Sequence, residues 1–188
     1  MKNITDKRLL FIDTETGGVN PNKHSLLSIG MVAWDVELGI IDSIELFVKN
    51  NSYIFTKEAQ KINKFNKTEH EKKAITHKKI IEEIKRFCTI NFPTDTLVPL
   101  AGHNTQFDVG FLKFFLANNN VSYGNLFSHR ILDTYSILRY LVYLGKIEDN
   151  ISSSAKAFKY FDISVKERHS ALDDALATVE LFNALLKL

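Results

Sequence analysis

The sequence predicts an α/β fold in which a mixed, five-stranded sheet is flanked by helices. Three apolar runs joined by short polar segments occupy the first 48 residues, as in an antiparallel meander. Apolar runs then alternate with helical patterns, which places the later strands between helices. The chain has 188 residues, enough for one domain with a substantial core and too few for two ordinary domains. We therefore expect a single domain over residues 1–188.

Each strand is predicted from an apolar run bounded by turn residues. The first run, LLFI, is followed after four residues by Gly17 and Gly18, and Pro99 weakens the fourth run. The fifth is short and is expected at an edge. The five predicted strands cover residues 9–12, 26–34, 40–48, 96–101 and 131–132.

Six helices are predicted from apolar residues at helical spacing and from capping residues. Thr76 and Asp133 are expected N-caps, and Pro93 and Gly145 are expected to end the helices that follow them. The predicted helices cover residues 57–65, 76–92, 107–116, 133–144, 152–161 and 171–188.

Composition and charge restrict the class of protein. The hydrophobic fraction of 45% is typical of a globular chain, and no apolar run approaches the ~18 residues that span a bilayer. A lone cysteine, Cys88, excludes an internal disulfide and favours a reducing compartment, so we expect a cytoplasmic protein with no membrane contact. Residues 57–86 carry ten basic against five acidic side chains, which suits either a polyanion-binding face or a solvated helix surface.

The first candidate site is the pair Asp13 and Glu15 at the end of the first strand. Residues two apart in a strand share a face, so both carboxylates should point the same way. A hard divalent cation with oxygen ligands would relieve their repulsion. The alternative is a turn at the end of the strand with two solvated acids.

Two further blocks carry polar residues where strands give way to helices. The block GHNTQFDVGFL places Asp108 in the first turn of a helix, where the alternative to a site residue is a simple charge at the helix N-terminus. Phe107 lies beside it, either as a core residue or as an aromatic surface on which a nucleobase stacks. RHSALDDALAT places His169 just before the last helix and Asp174 in its first turns.

Together, IDTETGG, HNTQFDVGFL and HSALDDA resemble the three signature blocks of the DnaQ-like exonucleases of the DEDDh class. These are 3′–5′ exonucleases with a ribonuclease H-like fold, so the resemblance implies that fold for the predicted sheet. The family's four acids fall on Asp13, Glu15, Asp108 and Asp174, and its histidine falls on His169. Because no signature position is missing, we expect an active enzyme.

The resemblance also implies roles for these residues. The four acids would hold two Mg²⁺ or Mn²⁺ ions, His169 would act as general base, and nucleoside 5′-monophosphates would leave from the 3′ end. Thr14, Thr16 and Phe107 are expected to hold the terminal nucleotide, although the threonines can equally shape the turn. His103 and Asn104 are expected to brace the turn before the helix.

The substrate is expected to be a nucleic acid with a free 3′ end, preferably single-stranded, and DNA and RNA both stay open. Two other functions stay open: a catalytically silent nucleic-acid-binding module, which the complete set of acids disfavours, and a phosphodiesterase for short oligonucleotides. Since the chain ends soon after its last helix, a stable association with a polymerase is not expected.

Overall fold

A five-stranded sheet forms the centre of the molecule. The computed structural model describes residues 7–63, 65–93, 95–149, 151, 153–166 and 169–188. The strands are β1 (Arg8–Thr16), β2 (Leu26–Asp35), β3 (Gly39–Phe47), β4 (Val98–Gly102) and β5 (Phe127–Asp133), in the spatial order β3-β2-β1-β4-β5. β1, β2 and β3 pair antiparallel, whereas β4 pairs parallel to β1 and β5 parallel to β4. The predicted mixed sheet is confirmed, with β5 at an edge.

Seven α-helices accompany the sheet among the described residues: α1 (Lys57–Asn63), α2 (Lys67–Lys73), α3 (His77–Asn91), α4 (Gln106–Asn118), α5 (Thr134–Tyr143), α6 (Ser154–Tyr160) and α7 (Ala171–Leu185). The predicted caps Thr76 and Asp133 are confirmed, since each side chain accepts a hydrogen bond from a backbone N–H in the first turn. α2 was not predicted. Two residues of predicted helices lie outside the described residues. They are residue 64, in the predicted first helix, and Ser152, in the predicted cap of α6.

The two faces of the sheet carry different cores. Leu10 and Ile12 of β1 pack with α3 and α4, whereas Phe11 packs with Trp34 and with Phe182 of α7. Because strand residues alternate between faces, Asp13 continues the α7 face of β1 and Thr14 continues the α3/α4 face. This alternation decides which helix meets each polar residue at the end of β1.

Two strands differ from the prediction in an informative way. β1 runs past its apolar residues to Thr16, so Asp13 and Glu15 lie within the strand. Pro99 lies inside β4, which nevertheless pairs on both sides. β4 contacts β1 through Leu100 and Ala101, and its pairing with β5 is irregular between Val98 and Leu100. The missing N–H of proline therefore falls at an irregular point of the ladder.

The last helix is shorter than expected and is buried on two sides. It ends at Leu185, and Leu186, predicted in the core, is 57% exposed. Ala177, Leu181 and Leu185 pack in a separate cluster with residues of α5 and α6. None of the helices in the described part of the chain is long and apolar enough to cross a membrane.

Candidate active site

The predicted carboxylate pair lies in an open pocket at the end of β1. Asp13 and Glu15 are half-buried and share one face of the strand, as predicted. They line a cavity of about 370 Å³, and His169 and Asp174 line it from the start of α7. The structure therefore brings together four of the five predicted catalytic residues, which come from two distant parts of the chain.

The start of α7 supplies the second half of this pocket. Ser170 is the N-cap, and its hydroxyl oxygen accepts a hydrogen bond from the backbone N–H of Asp173 at 3.4 Å. Asp174 is 8% exposed and accepts a hydrogen bond through Oδ2 from the backbone N–H of His169 at 3.3 Å. His169 is exposed and has a φ of +69°, a left-handed conformation that is uncommon for a residue other than glycine. The turn thus holds the imidazole beside the carboxylate that follows it.

Gly30 allows α7 to approach the sheet closely. It is paired with Asp13 across the β1–β2 ladder, and a Cβ atom built on it would lie 2.2 Å from the carbonyl oxygen of Ala171. No side chain fits in that space, so glycine brings the first turn of α7 over the carboxylates of β1. Sequence reasoning missed Gly30, although an isolated glycine in a strand often marks such a close approach.

Glu45 of β3 contacts the start of α7 as well, and it was also missed. Glu45 is paired with Gly30 and accepts a hydrogen bond from Ser28 Oγ at 3.4 Å. Burial raises the pKa of the Glu45 carboxyl, although the backbone N–H of Leu172 and the Ser28 hydroxyl donate hydrogen bonds that lower it. A carboxylate on the N–H groups at a helix N-terminus is a stabilising contact, so Glu45 helps to fix α7 on the sheet.

Three side chains converge closely enough to hold a cation. One potential ligand atom from each of Glu15, His169 and Asp174 lies within 4.8 Å of the other two. The carboxylates of Glu15 and Asp174 are the oxygen ligands that Mg²⁺ and Mn²⁺ prefer, and Asp13 offers further oxygens to the same pocket, with the imidazole of His169 beside them. These residues fit a divalent ion.

Asp108 reaches the site from the other face of the sheet. It lies in the first turn of α4, is 4% exposed, and accepts a hydrogen bond through Oδ1 from Thr14 Oγ1 at 2.7 Å. Among the described residues that line the pocket of Asp13 and Glu15, Asp108 does not occur. Burial raises the pKa of Asp108 to about 7, although the hydroxyl and backbone N–H of Thr14 donate hydrogen bonds that lower it. Asp108 therefore lies behind Thr14, one layer below the other acids.

The predicted nucleotide-binding residues border the same pocket. Thr14, Thr16 and Phe107 all line it, and Phe107 also packs against Phe111 with ring centroids 5.2 Å apart. The Thr16 hydroxyl donates a hydrogen bond to the carbonyl oxygen of Gly18 at 2.8 Å, which is the turn-forming role. Their contact with a substrate stays a prediction.

His103 and Asn104 brace the turn before α4, as predicted. His103 Nδ1 lies 3.0 Å from Thr134 Oγ1, and the backbone N–H of Asn104 donates a hydrogen bond to Asp133 Oδ1 at 2.9 Å. Burial lowers the pKa of His103, an effect opposed by the charge of Asp133. Both contacts tie the end of β4 to the start of α5.

Comparison with known proteins places this chain in a family. The chain is 29% identical over 97% of its length to the PolC-type DNA polymerase III of Clostridium perfringens, of which it spans 11%. It is 28% identical to the DNA polymerase III epsilon subunit of Treponema pallidum, over 93% of the chain and 74% of that protein. It is also 28% identical to the ribonuclease T of Wigglesworthia glossinidia brevipalpis, over 91% of the chain and 80% of that protein.

The fold matches part of exonuclease I. The zinc-bound form of the Escherichia coli exonuclease I complex with single-stranded DNA superimposes with a TM-score of 0.79 at 20% identity, over 97% of this chain and 43% of that one. The ribonuclease H-like sheet predicted from the sequence is thereby confirmed. A sequence profile of the family described as "Exonuclease" matches residues 10–182. The chain therefore belongs to the exonuclease family, of the DnaQ-like and ribonuclease T type.

Proposed function

We propose that this chain is a metal-dependent 3′–5′ exonuclease that releases nucleoside 5′-monophosphates from single-stranded nucleic acid. The observation that carries the proposal is the convergence of Glu15, His169 and Asp174 within 4.8 Å of one another, beside Asp13. Family membership gives the reaction class, and the described complex of exonuclease I with single-stranded DNA supports the substrate class.

The acids of the pocket would hold two divalent ions. Asp13, Glu15 and Asp174 would hold one ion, and Asp13 would hold the second with the support of Asp108, directly or through water. Bound divalent ions polarise the scissile phosphate, activate water and stabilise the leaving oxygen. His169 is an exposed residue of this cavity of about 370 Å³, which we expect to admit a phosphodiester and a water molecule.

His169 would take the proton from the attacking water. Its ring lies beside Glu15 and Asp174, and its exposure lets the proton pass on to solvent. The hydrolysis adds water across one P–O bond, so that hydroxide joins phosphorus and the 3′ oxygen of the shortened strand leaves with a proton. Imidazole is suited to this exchange because it gains and loses protons near neutral pH.

Cleavage of matched substrates tests the proposal. Purified protein with Mg²⁺ or Mn²⁺ is offered 5′-labelled single-stranded DNA, single-stranded RNA, duplex and a dinucleotide. A ladder of shortening products from the single strands is expected. Binding of single strands without cleavage would support the silent binding module, and cleavage of the dinucleotide alone would support a phosphodiesterase for short oligonucleotides.

Replacement of His169 by alanine tests its role as a base. Hydrolysis should fall by roughly two to four powers of ten, while Mn²⁺ affinity should be retained. The control is His129→Ala, because His129 is an exposed histidine on β5. Loss of Mn²⁺ affinity in His169→Ala would instead identify His169 as a metal ligand.

A further inference from the structure

Two consecutive residues, Asp133 at the end of β5 and Thr134 at the start of α5, hold the turn between β4 and α4, and we call them the 133–134 clamp. The Thr134 hydroxyl donates a hydrogen bond to the carbonyl oxygen of Gly102 at 3.0 Å. Because the hydroxyl proton is used there, His103 Nδ1, which lies 3.0 Å from Thr134 Oγ1, is the donor in that second contact. The backbone N–H of Asn104 donates to Asp133 Oδ1 at 2.9 Å. The clamp thus holds three consecutive residues.

The Asp133 carboxylate is engaged by protein groups on both of its oxygens. Oδ1 also accepts a hydrogen bond from the backbone N–H of Tyr135 at 3.0 Å, and Oδ2 accepts one from Ser136 Oγ at 3.4 Å. Asp133 does not occur among the described residues that line the pocket of Asp13 and Glu15, which we call the catalytic pocket. Asp133 therefore differs from the acids of that pocket, because its oxygens fix the backbone around it.

The turn depends on this clamp, because its own backbone is strained and the helix that follows it lacks a side-chain cap. Asn104 has a φ of +59°, a left-handed conformation that persists in a residue other than glycine where surrounding contacts impose it. Thr105, the N-cap of α4, makes no side-chain hydrogen bond in the described part of the chain, whereas the N-caps of α3, α5 and α7 each accept one. Contacts from outside the turn therefore decide where α4 begins.

The first turn of α4 carries two predicted site residues towards β1. The Asn104 carbonyl oxygen accepts a hydrogen bond from the backbone N–H of Phe107 at 3.1 Å, and Phe107 lines the catalytic pocket. Asp108 comes next and is tied to β1 by the hydrogen bond described above. The turn also packs tightly on β1, since a Cβ atom built on Gly102 would lie 3.0 Å from the carbonyl oxygen of Ile12. A movement of the turn therefore reaches Phe107 and Asp108 directly.

We infer that Asp133 is a positioning residue of the exonuclease, which sets the place of Phe107 and Asp108 beside the acids of β1 through the turn that it holds. The inference rests on the proposed function, in which Asp108 supports the second metal ion. A group that orients a metal site from outside it typically contributes about 10–100-fold to metal affinity or activity. The N–H groups of Asn104 and Tyr135 need only an acceptor at Oδ1, so a neutral amide at position 133 should serve nearly as well.

Three variants separate positioning from stability and from charge. Asp133→Ala removes the acceptor, and Asp133→Asn keeps an acceptor at Oδ1 while it removes the charge. Because Asp133 is also the N-cap of α5, the control is Thr76→Ala, which removes the N-cap of α3 at a residue outside the described lining of the catalytic pocket. Each protein is assayed well below its Tm for cleavage of a 5′-labelled single-stranded oligonucleotide over a range of Mn²⁺ concentrations.

Asp133→Ala should lower kcat and raise the Mn²⁺ concentration that gives the half-maximal rate, each by roughly tenfold or more. Asp133→Asn should recover most of both losses, and Thr76→Ala should change neither quantity although its Tm falls by a similar amount. The inference would be overturned if Asp133→Ala behaved like Thr76→Ala, or if Asp133→Asn behaved like Asp133→Ala.

Substitutions of Asn104 give a second test, which stands even if Asp133→Ala fails to fold. Asn104→Ala and Asn104→Gly both remove an exposed amide, but only glycine adopts the left-handed conformation without strain. Asn104→Ala should therefore be about tenfold less active than Asn104→Gly. Equal activities would overturn the inference, because the conformation of the turn would then have no bearing on the site. If the unmodified protein cleaves no nucleic acid, the proposed function itself fails and the inference fails with it.

Discussion

Replacement of Asp108 by asparagine should stabilise the metal-free protein at neutral and alkaline pH. The Asp108 carboxyl is 4% exposed, and burial raises its pKa from 3.8 to about 7. A raised carboxyl pKa means that the folded chain retains a proton that the unfolded chain has lost. The contribution of Asp108 to the free energy of unfolding is therefore highest below pH 4 and decreases as the pH rises to about 7.

The size of this decrease follows from the shift in pKa. About three pH units at 1.36 kcal/mol each give at most about 4 kcal/mol. Asparagine keeps an oxygen that can accept the hydrogen bond from Thr14 and carries no charge, so Asp108→Asn should remove the decrease. At roughly 2–4 °C per kcal/mol, even a quarter of the maximum is measurable as a shift in Tm.

The assay is thermal and urea unfolding in excess chelator between pH 5 and pH 8. The difference in stability between Asp108→Asn and the unmodified protein should grow from pH 5 to about pH 7 and then level off. Asp95→Asn is the matched control, since Asp95 is exposed, and its difference should be flat. An Asp108→Asn protein that is less stable at pH 8 would refute the reasoning, because the hydrogen bonds from Thr14 would then outweigh the cost of burying the charge.

Three further results are expected. Gly30→Ala should lower the free energy of unfolding by about 1–3 kcal/mol and lower activity at least tenfold, because the new Cβ atom would displace α7. In the control Gly110→Ala, the new Cβ atom meets nothing within 4 Å. The control should therefore raise the free energy of unfolding by about 0.5–1 kcal/mol. Mn²⁺ at a hundredfold excess over its Kd should add about 2.7 kcal/mol to the stability of the unmodified protein, with little gain in Asp174→Asn, as calorimetry can show. Burial raises the pKa of Cys88 to about 12, so the native protein should resist thiol reagents that label it once unfolded.

The parts of the fold that depend on local signals could be predicted from the sequence. The caps Thr76 and Asp133 act on N–H groups two or three residues away, so the sequence contains both partners. α2 shows the limit of this reasoning. His70 is its only buried residue in the described part of the chain, and its start depends on the Asn66 side chain accepting from the Glu69 N–H. A helix without an apolar stripe gives no periodic signal.

The positions of the site residues were predictable where strand geometry determines them. They were not predictable where the packing of helices determines them. The alternation of side chains in β1 was enough to put Asp13 and Glu15 on one face. The approach of α7 depends on Gly30, which is far from Ala171 and Leu172 in the sequence and meets them only through packing. The position of Asp108 behind Thr14 depends on the face that α4 covers, which the sequence pattern does not specify.

Thr14 connects the two layers of this site. It lies between Asp13 and Glu15 on β1, yet its side chain points to the opposite face, where its hydroxyl holds the Asp108 carboxyl at 2.7 Å. Any shift of α4 that moves Asp108 therefore pulls on the strand residue between the two half-buried acids. Because α4 also carries Phe107 into the pocket, a base that stacked on Phe107, as predicted, would act on the same helix. We expect the position of such a base and the alignment of the carboxylates to be linked through this hydrogen bond.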